Sequence, residues 1–451
     1  MPVEIKTHHR ACNLCEAICG LEIKTQGDQV LSIKGDKNDP LSRGYICPKG
    51  TAMQDIYTDP DRLRMPVKKQ SDRWVEISWE EAFNTVAEKL TAVQDQYGAD
   101  AVAFFAGNPN VHNYGSMTHA GVLRKAVQTK THFSATSLDQ LPHHLTSLSL
   151  YGHQSLIPVP DIDHTNYMLI IGGNPLASNG SIMTVPDVPK RLKAIQQRGG
   201  RFVVIDPRRT ETAEIADQHL FIRPGTDAFL LMAMLNTLFS ENLVHTGHLT
   251  DLLVGVDDVR GACEPFTPLL AEQRTGVAAE QVRQLARDMA NIEGAVCYGR
   301  MGVSVQVYGT LCQWAIHMIN ILTHSLDVRG GMMAPSPAFG FIKPGESGAG
   351  HFAAFHSRVS GLPEFAGELP ATVMAEEMLT EGEGQIRALV SIAGNPVLSA
   401  PNGQQIDRAL AGLDFMVSLD FYINETTQHA DIILPPTSAL EHDHYDIAFH
   451  R

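Results

Sequence analysis

The sequence predicts an α/β protein: a small β-rich N-terminal module followed by two open α/β, Rossmann-like domains. Three observations carry that prediction. Short strand patterns and turn formers crowd residues 1–62 around a set of cysteines. From Ser78 onward, apolar strands alternate with amphipathic helices. A strand–turn–helix–strand unit also occurs twice.

A chain of 451 residues exceeds a single hydrophobic core, and about two to four domains are expected. Its 43% hydrophobic and 19% charged residues are those of an ordinary globular protein. The net charge of −15 and the lack of any basic block exclude a nucleic-acid backbone as partner. Seven cysteines in this length are not a disulfide scaffold, and clustered thiols point to a reducing compartment. Met1-Pro2-Val3-Glu4-Ile5-Lys6 shows neither an apolar run nor a twin arginine. No apolar run reaches spanning length. A cytoplasmic location without direct membrane insertion is therefore expected.

In the first module, Cys12-x2-Cys15-x3-Cys19 is followed by a lone Cys47 in Ile46-Cys47-Pro48-Lys49-Gly50. Four soft sulfur donors suit an iron–sulfur cube or a zinc ion. Zinc ribbons pair one Cys-x2-Cys with a second, so the solitary Cys47 favours iron–sulfur. Lys49 adjoins a cluster ligand, which suggests an electrostatic or electron-transfer role. His8-His9 reads as loop. Asp59-Pro60 and Met65-Pro66 mark the module's exit.

Next, Ser78 with Glu81 forms a helix start, and Trp79, Phe83, Val86, Ala87 and Leu90 fall on one face. Ala101–Phe105 reads as a buried strand entering the turn Ala106-Gly107-Asn108. The first copy of the repeat is the strand Tyr167–Ile171, the turn Gly172-Gly173-Asn174-Pro175 and a helix over Val188–Gln197. The strand Phe202–Ile205 follows, ending in Asp206-Pro207-Arg208, then the strand Leu220–Ile222. The second copy is Ala388–Ile392, Ala393-Gly394-Asn395-Pro396, a helix over Gln404–Leu410, Phe415–Leu419 ending in Asp420, and Ile432–Leu434. In open parallel sheets, ligands bind beyond the carboxyl ends of the strands. Glycine admits a phosphate, a helix start favours its charge, and an Asp on the next strand accepts from ribose or guanine. Two copies suggest two nucleotide-like ends. Cys263, Cys297 and Cys312 read as core thiols, and 330–350 as an irregular loop.

Taken together, these residues resemble the molybdenum/tungsten bis(pyranopterin guanine dinucleotide) oxidoreductases, the superfamily of formate dehydrogenases, nitrate reductases and dimethyl sulfoxide reductase. The matching motifs, in order, are the four cysteines with Pro48-Lys49-Gly50, Gly173-Asn174-Pro175, Asp206-Pro207-Arg208 and Pro224-Gly225-Thr226-Asp227. Met301-Gly302-Val303, Gly394-Asn395-Pro396, Glu425-Thr426, and Ala430-Asp431 leading to Leu434-Pro435 complete the set. The resemblance implies a [4Fe–4S] cluster on Cys12, Cys15, Cys19 and Cys47, with Lys49 between the cluster and one pterin. It implies a Mo (or W) bis-molybdopterin guanine dinucleotide. Asn174, Asp206 and Asp227 would hold one tail, and Asn395, Asp420 and Glu425 the other. Gly173, Pro175, Arg208, Gly225, Gly302, Gly394 and Pro396 belong to the same binding motifs. The expected division is a [4Fe–4S] module at 1–62, one dinucleotide domain at 63–110 plus 325–430, the other at 111–324, and the start of a shortened C-terminal part at 431–451.

The implied activity is two-electron oxidoreduction of a small-molecule substrate. Electrons would pass between the metal centre and the cluster, and on to an iron–sulfur, cytochrome or flavin partner. Two departures stand out. Leu145 occupies the position of the metal's protein ligand, which turns attention to His144 or Ser147. The sequence also stops at Arg451, where family members continue with a further domain. The alternative is a non-catalytic iron–sulfur electron-transfer or scaffold subunit without the metal cofactor. A zinc-stapled nucleotide-binding protein is a third reading.

Overall fold

Four strands of the duplicated unit form with the bounds their apolar runs predict: Tyr167–Ile171, Ala388–Ile392, Phe415–Leu419 and Ile432–Leu434. The computed structural model describes residues 4–180, 182–183, 185–334, 336 and 350–445. Most of the Gly/Pro-rich stretch 330–350 thus lies outside the described residues. The chain divides into two compact units. One reaches to Leu138 and resumes at Gly350; the other begins at Asp139.

The first unit opens with an antiparallel meander, β1 (Ile5–Ala11), β2 (Gly20–Gln26) and β3 (Gln29–Gly35). His8 and His9 therefore lie in a strand, not the expected loop. β1 pairs with β2 along its whole length, and that partner imposes the extended form on a polar sequence.

The main sheet of this unit takes β4 (Val67–Gln70), β5 (Arg73–Glu76), β6 (Val102–Ala106), β7 (His132–Ser134), β16 (Ala388–Ile392), β17 (Phe415–Leu419) and β18 (Ile432–Leu434). Their order is β5-β4-β18-β17-β16-β6-β7. From β18 to β7 all neighbours are parallel. A hairpin of β14 (Phe352–His356) and β15 (Pro363–Phe365) lies outside that sheet. Alternate side chains of each strand serve opposite cores. Val102, Phe104, Val390 and Val417 pack on one face, and Ala103, Phe105, Leu389 and Met416 on the other. β7 and β18 belong to this sheet, so the unit holds residues 111–138 and 432–434, which the sequence divisions at 110 and 430 had parted from it.

The helix Trp79–Tyr97 starts as predicted, with Glu81 N donating to Ser78 Oγ at 3.1 Å. Its packed stripe is shifted, however: Ala82, Leu90 and Val93 are buried, with Val86 against them. Trp79 and Phe83 stay on the outer side, their rings 5.5 Å apart.

The second unit contains a short pair, β8 (Val159–Pro160) with β13 (Met332–Met333), and a sheet of β9 (Tyr167–Ile171), β10 (Arg201–Ile205), β11 (Gln218–Leu220) and β12 (Ala295–Gly299). This sheet runs β11-β10-β9-β12, all parallel. β11 ends at Leu220, so Phe221 and Ile222 lie beyond it, ahead of the Arg223-Pro224-Gly225 turn. The helix Asp227–Ser240 packs on one face of the sheet and Val188–Gln197 on the other. Cys263, Cys297 and Cys312 are buried thiols, as read.

The two sheets share a topology. β9, β10 and β11 step one way from β9, with β12 on its other side; β16, β17 and β18 step one way from β16, with β6 on its other side. Each sheet thus has a switch point, the place where open parallel sheets take ligands. Among the described residues no helix is long and apolar enough to cross a membrane.

Candidate functional site

The four N-terminal cysteines come together in the first unit. Cys12, Cys15 and Cys19 occupy the β1–β2 connection, closed by Cys12 N donating to Cys19 O at 2.8 Å. Cys47 precedes the short helix Pro48–Thr51. A Cβ on Gly50 of that helix would lie 3.9 Å from Cys12 Sγ, so the helix is packed onto the loop. Burial pushes the Cys12 thiol up to about 11 and Cys19 up to about 12; Cys12 also feels the charge of Cys15 and Cys47, and Cys19 that of Cys12, Cys15 and Cys47. The Leu14 and Ala17 amides hydrogen-bond the Cys12 and Cys15 sulfurs, and the exposed Lys49 side chain favours both thiolates. Thiols held protonated by burial become donors only when a metal displaces the proton. Among the described residues no three His, Cys, Asp or Glu close on one point as a single ion requires. A cube binds each thiolate to a separate iron, so its donors need not converge. The donor set fits a cluster.

In the second unit, the turn after β9 is tied to the segment after β10. Asn174 Nδ2 donates to Glu211 Oε2 at 2.6 Å, and Thr212 Oγ1 donates to Asn174 Oδ1 at 2.7 Å. Leu176 N in turn donates to Thr212 Oγ1 at 3.2 Å. Gly172 has φ +57°, and a Cβ there would stand 2.9 Å from Gly302 Cα. Gly302 N donates to Gly172 O at 2.8 Å, which locks the β9 and β12 ends edge to edge. Gly173 and Pro175 are buried in this turn.

The first unit repeats the arrangement at β16. Asn395 Nδ2 donates to Glu425 Oε2 at 2.9 Å, Thr426 Oγ1 to Asn395 Oδ1 at 2.7 Å, and Val397 N to Thr426 Oγ1 at 3.2 Å. Ala393, at φ +48°, takes the corner that Gly172 takes in the other unit. The neighbouring strand end is Gly107, whose Cβ would fall 1.9 Å from Ala393 O. A Cβ on Gly394 would meet Phe105 Cε1 at 2.6 Å, and Pro396 is buried beneath it. Below this turn lies a mainly apolar cavity of about 470 Å³. It reaches from Ala393, Leu419 and Phe421 at the strand ends to Asn13 and Leu14 of the cysteine loop.

Three carboxylates stand by these turns. Asp206 Oδ1 accepts from Arg208 N at 2.8 Å, and exposed Arg208 reaches Glu211 at 3.3 Å. Asp420 repeats the first contact, accepting from Tyr422 N at 3.1 Å. Asp227, after Gly225, accepts from Gln306 Nε2 at 2.9 Å. Burial raises the pKa of both Asp227 and Asp420. Asp227 is close enough to Asp206 to be raised further by its charge. Buried acceptors of this kind suit the N–H edge of a base.

Neither residue of the His143-His144 pair is exposed. His143 is buried on the helix Leu141–Tyr151, with Nε2 3.4 Å from Ser304 Oγ, and burial holds its pKa well below the ordinary value. Nδ1 of His144 lies 2.9 Å from Gln154 O, and burial lowers its pKa too. Ser147 Oγ is buried without a hydrogen-bond partner, and Leu145 is half-buried.

Sequence reasoning missed Glu211, Thr212 and the symmetric part of Thr426. The signal was present: Asp206 and Asp420 both open the pattern Asp-x4-Glu-Thr-x4-Asp. Its last members, Asp217 and Asp431, accept at 2.8 Å from Phe202 N and Met416 N respectively.

Residues 5–59 match the family model for the molybdopterin oxidoreductase Fe4S4 domain, and residues 62–449 match the model for molybdopterin oxidoreductase. The F420-dependent formate dehydrogenase subunit alpha of Methanocaldococcus jannaschii is 27% identical over 98% of this chain and 65% of its own. The assimilatory nitrate reductase catalytic subunit of Bacillus subtilis is 26% identical over 97% of this chain and 63% of its own. The chain thus spans just under two thirds of these relatives. Acetylene hydratase from Pelobacter acetylenicus shares the fold, with a TM-score of 0.78, 22% identity, and coverage of 95% of this chain and 63% of that one. The cysteine loop lies within the residues matched by the Fe4S4-domain model and the duplicated strand-end turns within those matched by the molybdopterin oxidoreductase model, and with nearly its whole length matched the chain belongs to the molybdopterin oxidoreductase family.

Proposed function

We propose that this chain is the cofactor-binding part of a two-electron oxidoreductase, in which a molybdenum or tungsten bis(molybdopterin guanine dinucleotide) supplies the two-electron chemistry and a [4Fe–4S] cluster relays electrons to a partner. The observation that carries the reading is the duplicated clasp, Asn174–Glu211–Thr212 and Asn395–Glu425–Thr426, at the switch points of two parallel sheets. Each clasp fixes a turn whose amides can face a phosphate. In the second unit Asp206 and Asp227 accept from the guanine and ribose of one tail. In the first unit Asp420 does so for the other, with the apolar cavity reaching toward the cysteine loop. Lys49 provides positive charge beside Cys12 and Cys15, which eases electron transfer and raises the cluster potential. His144, held neutral by burial, is our candidate proton acceptor for the substrate.

The relatives' names carry formate in one case and nitrate in another. The substrate is therefore a small molecule whose class the pocket residues decide. The partner is a redox protein or subunit, and the free thiols fit a cytoplasmic setting.

Metal and nucleotide analysis of anaerobically purified protein tests the reading. About four irons, one molybdenum or tungsten, and two GMP released by acid hydrolysis are expected per chain. Leu145, at the position of the metal's protein ligand, favours a second reading as a non-catalytic iron–sulfur subunit. Iron without molybdenum, tungsten or GMP would establish that second reading instead.

A further inference from the structure

Away from the strand-end turns, the second unit gathers three histidines on its surface. His245 and His248 flank Gly247, while His324 and Asp327 follow the helix Gly309–Leu322. The two segments are pinned by His245 N donating to Leu322 O at 2.8 Å. The His324 ring lies flush on Gly247, where a Cβ would come within 2.3 Å of its Nε2. That nitrogen is 3.3 Å from His248 Nδ1. The His245 ring stands 4.9 Å from His324, centroid to centroid, at 86°. On the far side of His248, Nε2 lies 4.0 Å from an Asp327 carboxylate oxygen.

Two imidazole nitrogens this close either share a proton or occupy two vertices of a metal's coordination shell. With metal–nitrogen bonds of about 2.0–2.1 Å, tetrahedral neighbours stand about 3.3–3.4 Å apart, the spacing found here. The second nitrogen of His248 stands 4.0 Å from a carboxylate, which by closing about 1 Å would make the hydrogen bond that fixes tautomer and ring orientation in carboxylate–histidine–metal triads. We propose that His248 Nδ1 and His324 Nε2 form a surface site for a divalent transition-metal ion of the zinc type, with His245 as third donor and Asp327 orienting His248. Because no three donors close on one point as they stand among the described residues, His245 joins by rotation of its side chain. The His248 and Asp327 side chains are 45% and 60% exposed, so the ion enters from solvent and water completes the shell. Filling the site would clip the short helix Gly247–Leu252 to the end of Gly309–Leu322.

The test compares the purified protein with the double variant H248A/H324A, each dialysed to equilibrium against zinc and assayed by mass spectrometry. Zinc taken up by the cysteines is common to both and cancels. One additional zinc per chain is expected in the wild type only. Asp327→Asn should weaken that uptake by about tenfold. Gly247→Ala, which removes no donor but presses a methyl on the His324 ring, should weaken it at least as much. Should the double variant fail to fold, zinc-edge anomalous scattering from wild-type crystals reads the site directly, with a peak between His248 and His324. Equal uptake by the wild type and the double variant, or no such peak at saturating zinc, overturns the proposal.

Discussion

Thr426 Oγ1 donates to Asn395 Oδ1 at 2.7 Å, and in the other unit Thr212 makes the same bond to Asn174 at the same distance. Both threonines are fully buried. Each also accepts from the amide two residues beyond its asparagine, so one hydroxyl joins two strand-end segments. Thr426→Val and Thr212→Val keep the shape and remove that hydroxyl. Each should cost about 1–3 kcal/mol, because Asn and amide groups lose partners away from water. Urea denaturation measures that loss. On the proposed function, each single variant should also retain one GMP per chain in place of two.

Gly107 and Gly394 test the close approach of β6 and β16. A methyl at Gly107 falls 1.9 Å from a backbone oxygen, which cannot yield. At Gly394 it falls 2.6 Å from the Phe105 ring, which has some freedom. Gly394→Ala should lower stability by about 1–3 kcal/mol, and Gly107→Ala by more. Gly98 has nothing within 4 Å of its would-be Cβ but φ of +93°, so Gly98→Ala separates pure backbone strain from crowding. Thermal melts ranking Gly107→Ala as the mildest of the three would contradict this account.

Asp227 carries a stability cost that depends on pH. Burial raises its pKa, and the hydrogen bond from Gln306 offsets this only partly. A raised folded pKa stabilises the fold below the unfolded value of about 3.9 and loses that contribution as pH rises through the folded value. Asp227→Asn should therefore be more stable than wild type at pH 8, with the advantage shrinking toward pH 3. Denaturation midpoints at both pH values check the sign. If guanine is its partner, the same variant retains less GMP.

Lys49 is exposed yet acts on Cys12 and Cys15. Lys49→Ala should leave iron content and visible absorption intact, while lowering the cluster potential and slowing transfer to the acceptor. Redox titration and turnover with the natural acceptor are the measurements. Unchanged values in both would remove Lys49 from the electron path.

Much of this was legible in the chain. Tyr167–Ile171 is an unbroken apolar run and Ala388–Ile392 is apolar but for Ser391, as suits strands buried on both faces, and each is followed by Gly-Asn-Pro. The cysteine spacing singled out a metal site. β1 was not legible, because Lys6, His8 and Arg10 give no strand pattern and only pairing with β2 makes one. The helix Trp79–Tyr97 was located from its cap, but its aromatic residues misdirected the choice of face. His143 is buried although its imidazole is polar, because its helix packs against Gly309–Leu322.

The amino-acid sequence by itself determined the buried central strands of the duplicated unit, its turns and the four-thiol donor set, because apolar periodicity, glycine and cysteine act over a few residues. Only the tertiary structure decided which strand ends meet. Gly302 lies against Gly172 and Gly107 against Ala393 because parallel pairing brings together segments more than a hundred residues apart. It also decided that Asn174 and Asn395 spend their amides on Glu211 and Thr212, and on Glu425 and Thr426. A side chain's partners are set by the whole packing around it, which no local pattern encodes.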